Sequence, residues 1–241
     1  GDISLMRTEF TVDFTNTRYS LADIVHIEKN KIWANNIKIY DEYGNSGIAN
    51  LMFSHQNFNN WNMDIRVQAN NLAGLHTTSS DNSLFYGTAY ATGLFSLKGS
   101  FNDLVMDINV RSEPLTYINI PINFAVDVSD TDFIVFMNPE SDTLKENITE
   151  IERSSFKMNM DMSITRDAIV QIFLPYQMGN IRSSGSGNMK MNYNTSGDFS
   201  MYGDYITEQG TFLFTIQNMI NRLFTLVPGG TIRWSGDAYN A

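Results

Sequence analysis

No cysteine occurs anywhere in this chain, which excludes a disulfide framework and any thiolate metal centre and leaves the redox compartment unreported. No apolar run approaches the ~18 residues a transmembrane helix requires, and the N-terminal Gly1-Asp2-Ile3-Ser4 lacks the basic and apolar regions of a signal peptide. Positive charge is scarce: 16 Lys and Arg stand against 26 Asp and Glu, a net charge of -10. Phosphate backbones are held by clustered cations, so this balance argues against nucleic acid as a partner. Helical periodicity is nearly absent as well. The best candidate is one or two turns at Gln217 to Arg222, with Met219, Ile220 and Leu223 facing one way, and it is too short to cover a sheet.

What is present is alternation with a period of two, the signature of strands with one apolar and one polar face. Ile118, Ile120, Ile122, Phe124, Val126 and Val128 share a face, opposed by Asn119, Pro121, Asn123, Ala125 and Asp127. The pattern returns at Met63, Ile65 and Val67, at Leu104, Met106, Ile108 and Val110, and at Phe156, Met158, Met160, Met162 and Ile164, the last set opposed by Lys157, Asn159, Asp161 and Ser163. Turn signals such as Tyr43-Gly44-Asn45, Lys98-Gly99-Ser100, Ser196-Gly197-Asp198 and Pro228-Gly229-Gly230 punctuate these runs at the roughly 8 to 12 residue spacing of an all-β meander. Residues 138–153 are polar and charged and read as a loop insertion. With 42% hydrophobic residues over 241 positions and no linker, residues 1–241 read as a single β domain of about twenty strands.

Two stretches carry glycine every six or seven residues: Gly87, Gly93 and Gly99, then Gly197, Gly203 and Gly210. Glycine within a strand marks a bulge, a bend or close backbone approach, so a regular series predicts a sheet that curls steadily. With no helices to cover their apolar faces, the strands must form a sandwich, a closed barrel or a folded-over trough. Methionine at 63, 106, 158, 160, 162, 189, 191 and 201 lies on strand faces. Its adaptable side chain suits a surface for disordered acyl chains and equally suits filling gaps in a core. Phe212, Phe214, Phe224 and Trp234 carry the same two readings.

The segment GDFSMYGDYITEQGTFLFTIQNMINRLFTLVPGGTIRWSGDAYNA at 197–241 resembles the C-terminal domain of the TamB family, and weaker likenesses lie in 87–122, in Asp167 to Pro175 and in Ser184 to Asn194. The first eighty residues match in style alone. The resemblance implies a β-taco: an elongated, curled, mostly antiparallel sheet forming a trough with an apolar inner wall. It further implies a passive conduit for phospholipid acyl chains in the periplasm, an outer-membrane barrel of the TamA type as partner, and an inner-membrane anchor outside this chain, which reads as a piece of a longer protein. The expected groove residues are Ile118, Ile120, Ile122, Phe124, Met158, Met160, Met162, Met189, Met191, Met201, Phe212 and Phe214. Alternatives are outer-membrane protein assembly, a transmembrane β-barrel and an extracellular adhesive module.

No coherent catalytic, cofactor or metal constellation stands out. Ser154-Ser155-Phe156-Lys157 fits S-x-x-K and Ser80-Asp81-Asn82 spells S-D-N, but the order is reversed, no K-T-G exists, and the serine enters an alternating strand. His26, His55 and His76 lack zinc-ligand spacing, and Asp41-Glu42-Tyr43-Gly44-Asn45 reads as a hairpin turn rather than a calcium loop.

Overall fold

Alternating runs separated by short polar turns fold as consecutive hairpins, because each strand's nearest available partner is the one just completed. The computed structural model describes residues 1–82, 85–122, 155–216 and 220–237. Its first half is a meander of β1 (Asp2–Val12), β2 (Thr17–Glu28), β3 (Lys31–Asp41), β4 (Ser46–Gln56), β5 (Asn59–Thr77), β6 (Tyr86–Ser100) and β7 (Asp103–Ser112), each antiparallel to the last. The β3–β4 turn is the expected hairpin: the Asp41 carboxylate accepts from the backbone N–H of Tyr43 at 3.0 Å and of Asn45 at 2.8 Å, with Gly44 at φ +89°.

The second half contains β8 (Tyr117–Pro121), β9 (Ser155–Ile164), β10 (Ile169–Phe173), β11 (Gly179–Asn194), β12 (Phe199–Ile216), β13 (Ile220–Thr225) and β14 (Thr231–Asp237). Two pairings, β7 with β9 and β8 with β10, are parallel; the rest are antiparallel. Fourteen strands thus stand among the described residues. An 18-residue strand such as β12 spans about 60 Å at ~3.3 Å per residue. Apart from strands, regular structure among the described residues is limited to single 3-10 turns at Asp13–Thr15 and Pro175–Gln177. The expected helical turn at Gln217 to Arg222 is corrected from Ile220 onward, where the chain is strand paired with β12. Ladder hydrogen bonds to Thr211–Ile216 outweigh a weak local helical pattern.

The pairing path β6–β7–β9–β11–β10–β8 closes back on β6. Because β5 occupies the other edge of β6 and β12 the other edge of β11, this closure surrounds a break in two middle lanes. β7 and β8 are successive parts of one lane along β6, and β9 and β10 are successive parts of one lane along β11. Hydroxyl groups satisfy the backbone there: Thr116 Oγ1 accepts from Tyr90 N–H at 3.1 Å, and Ser112 Oγ accepts from Thr165 N–H at 2.9 Å. Nearby, Ala73 N–H donates to the buried Asp41 carboxylate at 2.9 Å. Buried polar side chains here compensate ladder bonds lost at the break.

The first glycine series behaves as expected. Gly87, Gly93 and Gly99 of β6 take φ of +141°, +148° and +130°, and a Cβ at Gly93 would strike the Asn109 carbonyl of the neighbouring strand. In the second series Gly203 repeats this at φ +131° against Asn188, whereas Gly197 is a turn residue and Gly210 is not at positive φ. Buried apolar residues form three clusters: Leu21, Ile37 and Ile39 across β2 and β3 with Ala49 and Leu72; Leu104, Phe156, Met158 and Tyr193; and Ile172, Met189, Met201, Tyr205 and Trp234.

Candidate functional site

Cross-strand partners in a sheet point to the same face, so the register alone assigns every side chain to a side. Ile37, Ala49, Val67, Phe95, Ile108, Met160, Met191, Met201 and Gly236 form one continuous row across nine strands. One residue further along each ladder, Lys38, Ile48, Gln68, Leu94, Asn109, Asp161, Lys190, Tyr202 and Ser235 form the row on the opposite side. One face is an apolar wall, and the other is largely polar.

The expected groove residues fall on the apolar wall wherever a ladder places them. Met158, Met160 and Met162 lie beside Tyr193, Met191 and Met189, and Met201 continues from Met191. Ile118 and Ile120 align with Val170 and Ile172, and from there through Ser183 and Ile181 to Phe212. Phe214 follows two residues on, and Ile122 packs against the same cluster as Ile172. Phe124, like residues 138–153, lies outside the described residues. Met158, Met189 and Met201 are buried, while Met160, Met162 and Met191 are half-buried.

One expectation about facing is corrected. Asn119, assigned by alternation to a solvent-facing side, is only 6% exposed, and its amide donates to the Tyr86 carbonyl at 3.4 Å. It sits between Tyr86 and Gln171 in the ladders that bring β8 between β6 and β10, so both flanks are covered. Sequence alternation also left much of the wall unassigned to the groove. Phe95 and Leu97, Tyr193 and Phe199, and Tyr205 and Trp234 belong to it by register or packing. The signal was available in Phe95-Ser96-Leu97-Lys98 and Tyr193, but glycine interruptions obscured it. Of the aromatics, Trp234 is buried in the wall, and Phe212 lies 5.7 Å from Phe214 and 6.0 Å from Phe224 between ring centres.

Burial pushes the phenols of Tyr193 and Tyr205 above their ordinary value, so both stay neutral at physiological pH. The shifted carboxylates include Asp204, lowered by hydrogen bonds from the Arg233 guanidinium across the polar face, and Glu113, lowered by Arg111 and then Thr92. Depressed folded-state values contribute stability above the unfolded carboxylate pKa, near 4, and that contribution is lost as pH falls through the folded values. The expected result is a melting temperature nearly level from pH 7 to about 5 that declines below about 4. Thermal melts of Arg233→Ala should decline less steeply than the parent over the acid range, and identical slopes would remove this pair as a cause.

A family model of the TamB C-terminal domain matches residues 35–241. The chain belongs to the TamB family. The match opens within β3 and takes in every later strand, so it reaches well upstream of the glycine-marked stretches that first resembled the family. No curated protein and no solved structure matches the chain. TamB-family proteins are transport and assembly components of the periplasmic envelope that work with TamA. Among the described residues of this TamB-family chain, no helix is long and apolar enough to cross a membrane.

Proposed function

We propose that the apolar wall shields phospholipid acyl chains, as a passive conduit between the inner and outer membranes, with the parent protein anchored in the inner membrane and its partner a TamA-type barrel. The observation that carries this reading is the unbroken apolar row over nine strands, with no helical layer over it among the described residues. Half-buried methionines at 160, 162 and 191 offer adaptable contact to chains of irregular shape. Each methylene moved from water onto such a wall gains about 0.8 kcal/mol, so a two-chain lipid needs no specific polar site to be retained.

Photo-crosslinking side chains placed at Met160, Met191 or Phe214 are expected to capture phospholipid in cells, while the same groups at Asp161 or Asn188 on the opposite face are not. Equal capture from both faces would replace the conduit with general membrane contact.

One observation favours a second reading. β1 pairs only with β2, and β13 and β14 pair only with β12, so both lateral edges of the described sheet are open. Open edges can receive an added strand, as assembly of nascent outer-membrane proteins would require. Capture of such proteins alone, with no lipid, would select that reading.

A further inference from the structure

Among the described residues, the Lys and Arg that the ladders pair are segregated by face with one exception. Arg66, Lys98, Arg111, Lys157, Lys190 and Arg233 all sit opposite polar or outward-facing residues on the polar side of the sheet. Arg222 of β13 is the Cα partner of Phe214, and the next pair on that face is Phe212 with Phe224. The face is anchored through Ile181 and Ile172 to the cluster containing Met189 and Trp234. Among the described residues, Arg222 is therefore the one Lys or Arg that the ladders place on the apolar wall.

Its setting is specific. Arg222 is exposed on a lateral edge strand, near the end of the sheet, beside three phenylalanines whose rings pack together. No ion pair among the described residues engages it. A guanidinium presents a rigid fork of donors that matches a phosphate, and it retains its charge at any physiological pH. An apolar surface that ends in an unpaired cation has the polarity order of a phospholipid: chains, then phosphate.

We propose that Arg222 binds the headgroup phosphate of a phospholipid whose acyl chains lie against Phe212, Phe214 and Phe224. The inference rests on the lipid reading above and adds to it a polar recognition point at the rim. It makes retention selective for phosphate-bearing lipids over neutral lipids with identical chains, without discriminating strongly among alcohol headgroups beyond the phosphate.

The test offers the purified chain equal amounts of phosphatidylglycerol and diacylglycerol with the same oleoyl chains and reads retained lipid by native mass spectrometry. A charge-assisted hydrogen bond predicts roughly tenfold preference for the phospholipid. Arg222→Leu is expected to bring the two lipids to within about twofold of each other while total lipid retained is unchanged. Arg222→Lys should keep part of the preference, and Arg66→Leu, on the polar face, all of it. Circular dichroism confirms that each variant remains β-folded.

If Arg222→Leu keeps the parent's preference, the proposal fails. If it keeps the preference and also self-associates, Arg222 is instead a charge that protects an open edge from pairing. Loss of the preference in excess inorganic phosphate would replace the lipid headgroup with a free-anion site. Absence of both lipids from the parent chain would overturn the conduit reading itself, an outcome distinct from loss of selectivity alone.

Discussion

Met160→Asp is expected to destabilise the chain by about 3 kcal/mol or more, the cost of placing an unpaired carboxylate on a face that largely excludes water. Met160 lies between Ile108 and Met191 in the row crossing nine strands, and packs against the cluster of Leu104, Phe156 and Met158. No cation is its ladder partner on that face. The neighbouring change Asp161→Asn removes one end of an exposed ion pair with Lys190, 3.4 Å long, and should alter stability by no more than about 0.5 kcal/mol. Urea denaturation of the two variants measures the difference between faces. Equal losses, or a larger loss at 161, would mean that the register of β9 against β11 is wrong.

Gly93→Val should be still more damaging, with an expected loss of about 4 kcal/mol from combined backbone strain and overlap. Gly93 stands at φ +148°, and any Cβ there would strike the carbonyl of Asn109 and the Cα of Val110 in β7. Neither obstacle is a flexible side-chain tip, so relief requires β6 and β7 to separate. Gly44 supplies the comparison: it too has positive φ, at +89°, but nothing lies within 4 Å of a Cβ there. Gly44→Ala should therefore cost only about 1 kcal/mol, the strain alone. A Gly93→Val chain with the parent's urea midpoint would show that close approach of β6 and β7 is not needed for the fold.

The two variants probe different products of the same pattern. Met160 belongs to the alternation that segregates faces, and Gly93 to the six-residue glycine series that lets neighbouring backbones approach closely. With no helical layer over the sheet among the described residues, its stability rests on both the segregation of faces and the close approach of strands.

Much of this was legible in the residues themselves. Period-2 alternation set which residues of β7, β9 and β11 share a face, because a pleated strand leaves its side chains no other arrangement. Glycine placement in β6 and the Asp41 to Asn45 turn were legible for a similar reason: their conformations are decided within a few residues. Tertiary structure alone decided which strands meet. The parallel pairing of β7 with β9 joins segments 42 residues apart in the chain, and no local pattern encodes that partner. Pairing also turned Ile220–Thr225 into strand, buried Asn119 between two neighbours, and brought Arg222 onto the wall beside Phe214. Local sequence determines how a strand divides its two faces; only the ladder determines which faces join, since register is settled by hydrogen bonds and packing between residues distant in the chain.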